Sequence, residues 1–395
     1  MAFYILRNNK RNYYNFQNYI RKMKRRNLNV SSKKFVYYAP LVELKKDAMF
    51  RPYIEIPLEM ANQGYQSYLI CGKLGFSPPN EINVVETGII SEKKLDVFRV
   101  YRYTKKFLRK NRPDIFIFFH MNVIIIPLIV YSKIHNINVK FLVKLDSDGS
   151  DFEIKSHFVN FLKRIYIVFI SHLLCGIIVE NSCGMDLLKS IRLINSDKLL
   201  LLPNSFSERK YGIKKYSDSK RDNYILFVGR IHPEKNISLL IKAFIHVTLP
   251  YSTWQLHLVG PIDDEDYFNE LTNEYTESIS NGKVLFIGPL YDSALNSEYS
   301  HAAIFCLPSI NESYGIVRIE AIANGIPVIT SEAGCGKELE EYGSLVFYHD
   351  DCVKLESYIK LLIESESTRI DISNKQNENL ITYVSIIQKL LNFIK

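Results

Sequence analysis

The sequence predicts an α/β protein built from two doubly wound, mostly parallel sheets. Three observations carry that expectation. The chain of 395 residues is too long for one ordinary hydrophobic core. Short apolar runs alternate with helix-period segments over most of its length, the pattern of strands joined by crossover helices. The alternation comes in two sets, parted at 207–223 by a polar stretch with Gly212, several Ser and Lys, and no apolar period. The expected division is a basic arm at 1–33, a first α/β domain at 34–205, a linker at 206–222, a second α/β domain at 223–378 and a terminal helix at 379–395.

The arm comes first. Within 1–30, Tyr13, Phe16, Tyr19, Ile20 and Met23 recur at helical spacing among basic residues. Residues 1–34 hold ten Lys/Arg and no acid, out of 50 basic and 42 acidic residues in the chain. A basic amphipathic helix suits an anionic membrane surface; a solvated basic arm and an RNA contact are the alternatives. The remaining body is near neutral, which argues against nucleic-acid binding in general. No secretory signal is visible, because the N-terminus lacks a continuous apolar core. The six cysteines form no C-x-x-C pair and several sit in apolar runs. They read as reduced, mostly buried thiols of a cytoplasmic protein, with no zinc site.

In the first domain, strands are expected over 35–39, 67–71, 115–119, 139–145, 175–179 and 198–202. A helix is expected over 47–63, closed by Gly64. Another, over 93–111, is crowded with Lys and Arg, on a side that faces either solvent or a membrane. The apolar stretches 115–132 and 165–179 approach the length of a membrane span. His120, Asn122, Pro127 and His172 interrupt them, so each reads as a buried strand with a neighbouring helix. In the second domain, strands are expected over 224–228, 255–259, 283–287, 303–307, 327–330 and 344–347. Its helices are expected over 236–248, 265–279, 292–301, 315–324 and 352–365. The last segment, 379–393, has Ile381, Val384, Ile387, Leu390 and Leu391 at helical spacing and needs a surface to dock on.

Chemistry concentrates in two strand–turn–helix units. The first runs LPSINESYGIVRIEAIANGIPVIT, from Leu307 to Thr330. Pro308 ends a strand, and Ser309, Asn311 and Ser313 are turn and cap types. A helix starts near Gly315 and stops at Gly325 and Pro327. Its free N–H groups and dipole favour phosphate oxygens. Glu312 stands in the turn and Glu320 about two turns into the helix. Glu320 can accept from two neighbouring hydroxyls, the pattern of a ribose diol, and Glu312 from a sugar ring. The plainer reading is one acid stabilising the dipole and one solvated helix acid. The second unit, FVGRIHPEKN from Phe227 to Asn236, sets Gly229 in a tight turn. Arg230 and Lys235 flank it, able to converge on one anion. Both turns follow strands, where open α/β sheets bind ligands. No GxGxxG or GxxxxGK[ST] occurs, which argues against a dinucleotide dehydrogenase or a P-loop NTPase.

Gly229, Arg230 and Lys235 as GR-x4-K, Glu312 to Ala321 with its E-x7-E spacing, and the NGIPVI run at 324–329 together resemble the GT-B glycosyltransferases. The nearest likeness is to the large retaining family 4, the glycosyl transferases group 1. It extends through nearly all of the second half, including the FIGPL turn at 286–290. The resemblance implies a GT-B architecture of two Rossmann-like domains facing a cleft. It implies a retaining hexosyltransferase that moves a sugar from a UDP- or GDP-sugar donor to a glycan or glycolipid acceptor, with no metal cofactor. Carried over by position, Arg230, Lys235 and the N–H groups near Gly315 hold the donor diphosphate. Glu320 binds the ribose, Glu312 contacts the transferred sugar, and Ile287, Gly288 and Leu290 lie near the base. The terminal helix crosses back to the first domain.

The first half departs from the family pattern. The place of its Gly-rich loop reads PLVELKKDAMFRP, from Pro40 to Pro52, without glycine. Asp146, in KLDSDGS, stands where many members have a His near the sugar. It would hydrogen-bond a sugar hydroxyl or stabilise developing positive charge; a turn-forming Asp is the alternative. His120, at another strand end, is a second catalytic candidate. Glu180 and Asn181 end a strand in the cleft-facing position, and Asn204 lies at the hinge. These departures keep open a non-catalytic nucleotide-sugar or glycan-binding subunit, and an epimerase of the same fold.

Overall fold

The computed structural model describes residues 33–90, 94–145, 157–190, 194–249, 251 and 253–395. The arm at 1–30 and Asp146 lie outside them. The first sheet has seven strands: β1 Lys34–Leu44, β2 Gln66–Leu74, β3 Ile82–Glu86, β4 Ile115–Phe119, β5 Lys140–Leu145, β6 Gly176–Val179 and β7 Leu199–Leu201. Their order is β3-β2-β1-β4-β5-β6-β7, and every paired neighbour runs parallel. The second has six: β8 Asp222–Val228, β9 Gln255–Val259, β10 Val284–Gly288, β11 Ala302–Leu307, β12 Val328–Ser331 and β13 Leu345–Phe347. These are ordered β10-β9-β8-β11-β12-β13, again parallel. The winding reverses between β1 and β4 in one sheet and between β8 and β11 in the other. Each reversal opens a crevice at the strands' carboxyl ends.

Alternation along β1 divides the first domain into two cores. Val36 and Tyr38 face one side, under helices Lys94–Asn111, Ile125–Ile134 and His157–Leu173. Phe35 and Tyr37 face the other, under helices Pro52–Asn62 and Tyr383–Phe393. The terminal helix thus buries Ile386, Ile387 and Leu390 in the first domain. Gly176 on β6 admits it: a Cβ there would lie 2.3 Å from the Phe393 ring. The second domain has one continuous core around Phe227, Phe244, Phe305 and Ile329.

Several elements differ from expectation for local reasons. The helix expected over 47–63 is a 3-10 turn, Lys46–Phe50, and then the helix Pro52–Asn62. Pro52 excludes helical backbone at the residue before it, and Arg51 is extended at φ −106°, ψ 168°. Strand β3 was not expected; it is a short sheet edge with most residues partly exposed, so it lacks a strong apolar run. The helix expected over 265–279 breaks into Glu265–Glu274 and Thr276–Ser280 at Tyr275, whose hydroxyl bonds Ser238 Oγ at 3.0 Å. Helix Glu366–Glu378 has no apolar stripe to announce it, because it buries the polar Arg369, Ser373 and Gln376. Of the cysteines, Cys71, Cys306 and Cys335 are buried, Cys175 is exposed, and Cys183 and Cys352 are intermediate. Burial pushes the Cys71 thiol up to about 12 and the Cys335 thiol up to about 11, so both stay protonated and inert.

The 207–223 stretch packs on the second domain. Tyr211 and Tyr216 are buried there, and Arg221 donates to the carbonyls of Ser300 at 2.9 Å and Asn324 at 2.8 Å. Ser207 and Arg209 both reach Glu55 of the first domain, at 2.8 and 2.5 Å. No described helix is long and apolar enough to cross a membrane.

Candidate functional site

The second crevice collects most of the expected residues. β8 delivers Gly229 and Arg230, and the 3-10 turn Pro233–Lys235 presents Lys235. β11 delivers the turn that carries Glu312 and the helix Ile316–Ala323. The two connections are tied by Ile310 N–H donating to Glu234 O at 2.8 Å. Lys235 Nζ lies 2.7 Å from Glu312 Oε2, and Ser309 Oγ donates to the same oxygen at 3.4 Å. Lys235 is nearly buried. Arg230 is half exposed, pairing with Asp263 and, at 3.9 Å, with Glu234. Each cation is held by its own carboxylates.

Close backbone approach shapes this mouth. A Cβ on Gly260, at the end of β9, would fall 1.8 Å from Gly229 O, so β9 can end against β8 here only with glycine at 260. The next strand end is Gly288, whose carbonyl accepts from Gly260 N–H at 3.0 Å. Ile287 and Leu290 beside it are partly buried.

The start of the Ile316–Ala323 helix depends on a residue that sequence reasoning missed. Arg318 is fully buried. Its guanidinium donates to Tyr314 O at 2.7 Å, Thr330 Oγ1 at 2.8 Å, Ala333 O at 2.9 Å and Gly315 O at 3.4 Å. It thereby joins the helix start to the end of β12 and the turn that follows it. Gly315 sits at φ 76°, ψ 53°, and a Cβ there would meet Arg318 Nη2 at 2.3 Å. Only glycine fits both the backbone and the space.

Glu320 faces inward and is 3% exposed. Its Oε1 pairs with Arg51 Nη1 of the first domain at 3.2 Å, and its Oε2 accepts from Tyr299 Oη at 3.1 Å. Burial, and then the nearby Glu320 charge, push the Tyr299 and Tyr211 hydroxyls far above the usual phenol range, so both remain neutral donors. Burial opposes the charge on Arg51, but Glu320 and the surrounding tyrosines outweigh it and raise its pKa. Arg51 stands within the segment that lacks glycine, where the sequence offered Lys45, Lys46 and Arg51 as cations able to meet phosphates. Lys46, on the same connection, pairs with Asp292 of the second domain at 2.6 Å.

Other contacts join the domains on the β6 side. Asn181 Nδ2 donates to Ser313 O at 2.8 Å, and Glu338 Oε1 accepts from Ser182 N–H at 2.5 Å. Behind them, Lys144 and Glu180 form a buried ion pair. His120 follows β4 at the first crevice with φ 60°, half-buried, its ring 4.1 Å from that of Phe119. The structure thus gathers Lys235, Glu312, Arg230 and Gly315 at one mouth. Glu320 lies deeper on the same helix, and His120 belongs to the other sheet.

Comparison with known proteins concerns mainly the second half. Residues 208–379 match the family described as glycosyl transferases group 1. An uncharacterized glycosyltransferase of Methanocaldococcus jannaschii is 34% identical over 113 residues, 29% of this chain and 28% of that protein. The O-antigen chain mannosyltransferase RfbU of Salmonella typhimurium is 30% identical over 169 residues, 42% of this chain and 45% of that protein. The matched stretch spans less than half the length of these relatives. Among solved structures, HepE of Anabaena in complex with UDP and glucose superposes with a TM-score of 0.66 at 16% identity, over 91% of this chain and 98% of that one. That likeness is one of fold, and the fold is GT-B.

Proposed function

With its second half a domain of the glycosyl transferases group 1 and both halves set in a GT-B frame, we propose that this protein is a retaining glycosyltransferase. It moves a hexose from a UDP- or GDP-sugar to a glycan or glycolipid acceptor. The observation that carries this reading is the Lys235–Glu312 pair at the mouth of the second crevice, beside the N-terminus of the Ile316–Ala323 helix. The bond that breaks joins the anomeric carbon to the diphosphate, and the diphosphate leaves with its electron pair. Lys235, Arg230 and the helix-start N–H groups meet that growing negative charge, with no metal needed. Glu312, released from Lys235 by the arriving phosphate, is placed to accept from a sugar hydroxyl. The acceptor hydroxyl attacks the face the diphosphate leaves, and its proton passes to the departing phosphate oxygen. His120 and Asp146 are assigned to the sugar side of the cleft, Glu320 to the ribose, and Ile287, Gly288 and Leu290 to the base. The proposed location is the cytoplasm or the cytoplasmic face of a membrane, with 1–30 as a lipid contact. The UDP and glucose bound by HepE support the choice of donor class.

Calorimetry with UDP and GDP, in the presence of a chelator, tests the reading. Micromolar binding of one nucleotide by the wild type, lost in Arg230→Ala with Lys235→Ala, is the expected result. A folded protein that binds neither would remove it.

Arg51 bears on a second reading. Its pairing with Glu320 occupies the carboxylate assigned to ribose, a pairing that a non-catalytic subunit would retain. In an enzyme the ribose must displace Arg51. Arg51→Ala is therefore expected to tighten binding of the bare nucleoside by up to about tenfold, the scale of one partly buried ion pair. Equal nucleoside affinity in wild type and variant would mean that ribose does not use Glu320.

A further inference from the structure

The first domain carries a face that the proposed chemistry does not use. Helices Lys94–Asn111, Ile125–Ile134 and His157–Leu173 pack side by side over one core of the first sheet. Lys105 Nζ lies over the rings of Tyr101 and Tyr131, at 4.8 and 5.2 Å, and closes the seam between the first two helices. On the outer side, five large apolar side chains stand in solvent: Phe98 at 55%, Val130 at 45%, Ile134 at 70%, Ile165 at 50% and Phe169 at 53% exposed. Scattered singly, such residues need no explanation; on three adjoining helices of one face they form a patch that marks an interaction site.

Among the described residues of these three helices the charge is almost all cationic. Arg99, Arg102, Lys106, Arg109 and Lys110 are exposed on the Lys94–Asn111 helix. Helical spacing sets Phe98, Arg102, Lys106 and Arg109 in one outward stripe. The three helices contain a single acid, Asp96, and it already pairs with Arg99 at 3.4 Å. Apolar side chains flanked by cations, on a face of parallel helices, match a surface of lipid headgroups above hydrocarbon.

We propose that this face docks the protein on an anionic lipid bilayer, with Phe98, Ile134 and Phe169 entering the headgroup layer and the Lys94–Asn111 cations on lipid phosphates. Charge selects this occupant. A second copy would set one all-cationic helix surface against another. The chain's own residues 1–34, with ten Lys/Arg and no acid, are repelled for the same reason. The inference rests on this surface and is independent of the proposed activity.

The test uses the full-length chain and phosphatidylcholine vesicles with or without phosphatidylglycerol, reading the bound fraction by co-sedimentation. Binding is expected only where phosphatidylglycerol is present, and it weakens as salt rises. A variant with Arg99→Glu, Arg102→Glu and Lys106→Glu is expected to lose at least about tenfold in vesicle affinity, from the pull each cation exerts near an anionic surface. Phe98→Ser with Phe169→Ser should lose a similar factor, both variants keeping the wild-type melting temperature. Undiminished binding by the charge variant would put the contact elsewhere and overturn the proposal. So would a wild type that ignores both vesicles, or variants whose loss of binding accompanies loss of a dimer in light scattering.

Discussion

Lys235→Ala is expected to lower kcat/KM for the sugar donor by on the order of 10²–10³-fold, the usual cost of removing one preorganised group that meets transition-state charge. Lys235 is the more enclosed of the two cations at this mouth. Its side chain is 11% exposed, against 51% for Arg230, so less water screens it from a phosphate. Glu312 balances it at 2.7 Å. A diphosphate would take over that partner and free the carboxylate for the sugar. The loss should fall mainly on kcat if the charge acts on the leaving group, and on KM if it only anchors the donor. Lys235→Arg restores charge without the same reach and should recover part of the activity. Removing Lys235 also leaves Glu312 unpaired, so Glu312→Gln in the Lys235→Ala background separates that effect. Transfer rates of Lys235→Ala within a few-fold of wild type would remove Lys235 from the mechanism.

The second large effect is expected at Arg318. Arg318→Met should destabilise the second domain by about 2–3 kcal/mol, because hydrogen bonds from a charged donor are worth roughly 1.5–3 kcal/mol, while Tyr314 O and Ala333 O keep the backbone N–H groups of Cys335 and Gly336 as partners. Methionine fills much of the same volume, so little of the loss is cavity. The guanidinium bonds Tyr314 O, Ala333 O and Thr330 Oγ1 at once, across the helix start and the end of β12. Lysine cannot present that fork, and Arg318→Lys should rescue little. Urea denaturation followed at Trp254, which is buried in the same core, reads the effect. Nucleotide affinity should fall in parallel, since the helix start loses its anchor. A midpoint like that of wild type would show that the loop holds itself.

How much of this was legible beforehand differs between elements. The strands around β8 and β11 were expected nearly at their observed bounds, because a buried parallel strand is a short apolar run and little else produces one. Gly229, Gly315 and Gly325 were visible because turns leave a mark that no other residue type mimics. Helix Glu366–Glu378 left no such mark. Its Arg369 bonds Tyr216 Oη at 2.7 Å and lies against Trp254, both far away in the chain. The same holds for Arg318. Written in a row, it is one more charged helix residue, and only the fold gives it zero exposure and a set of carbonyl partners.

By itself, the sequence determined the two-domain α/β plan, the parallel winding and the positions of both loop motifs. Those depend on periodicity and turn chemistry, which act within a few residues. Only the tertiary structure decided what each charge faces. It set Arg230 on Asp263 and Lys235 on Glu312. It brought Arg51 across from the other domain to Glu320 and sent the terminal helix onto β6. Such pairings join residues far apart in the chain. They are set by which strand ends meet in space, and no local period encodes that.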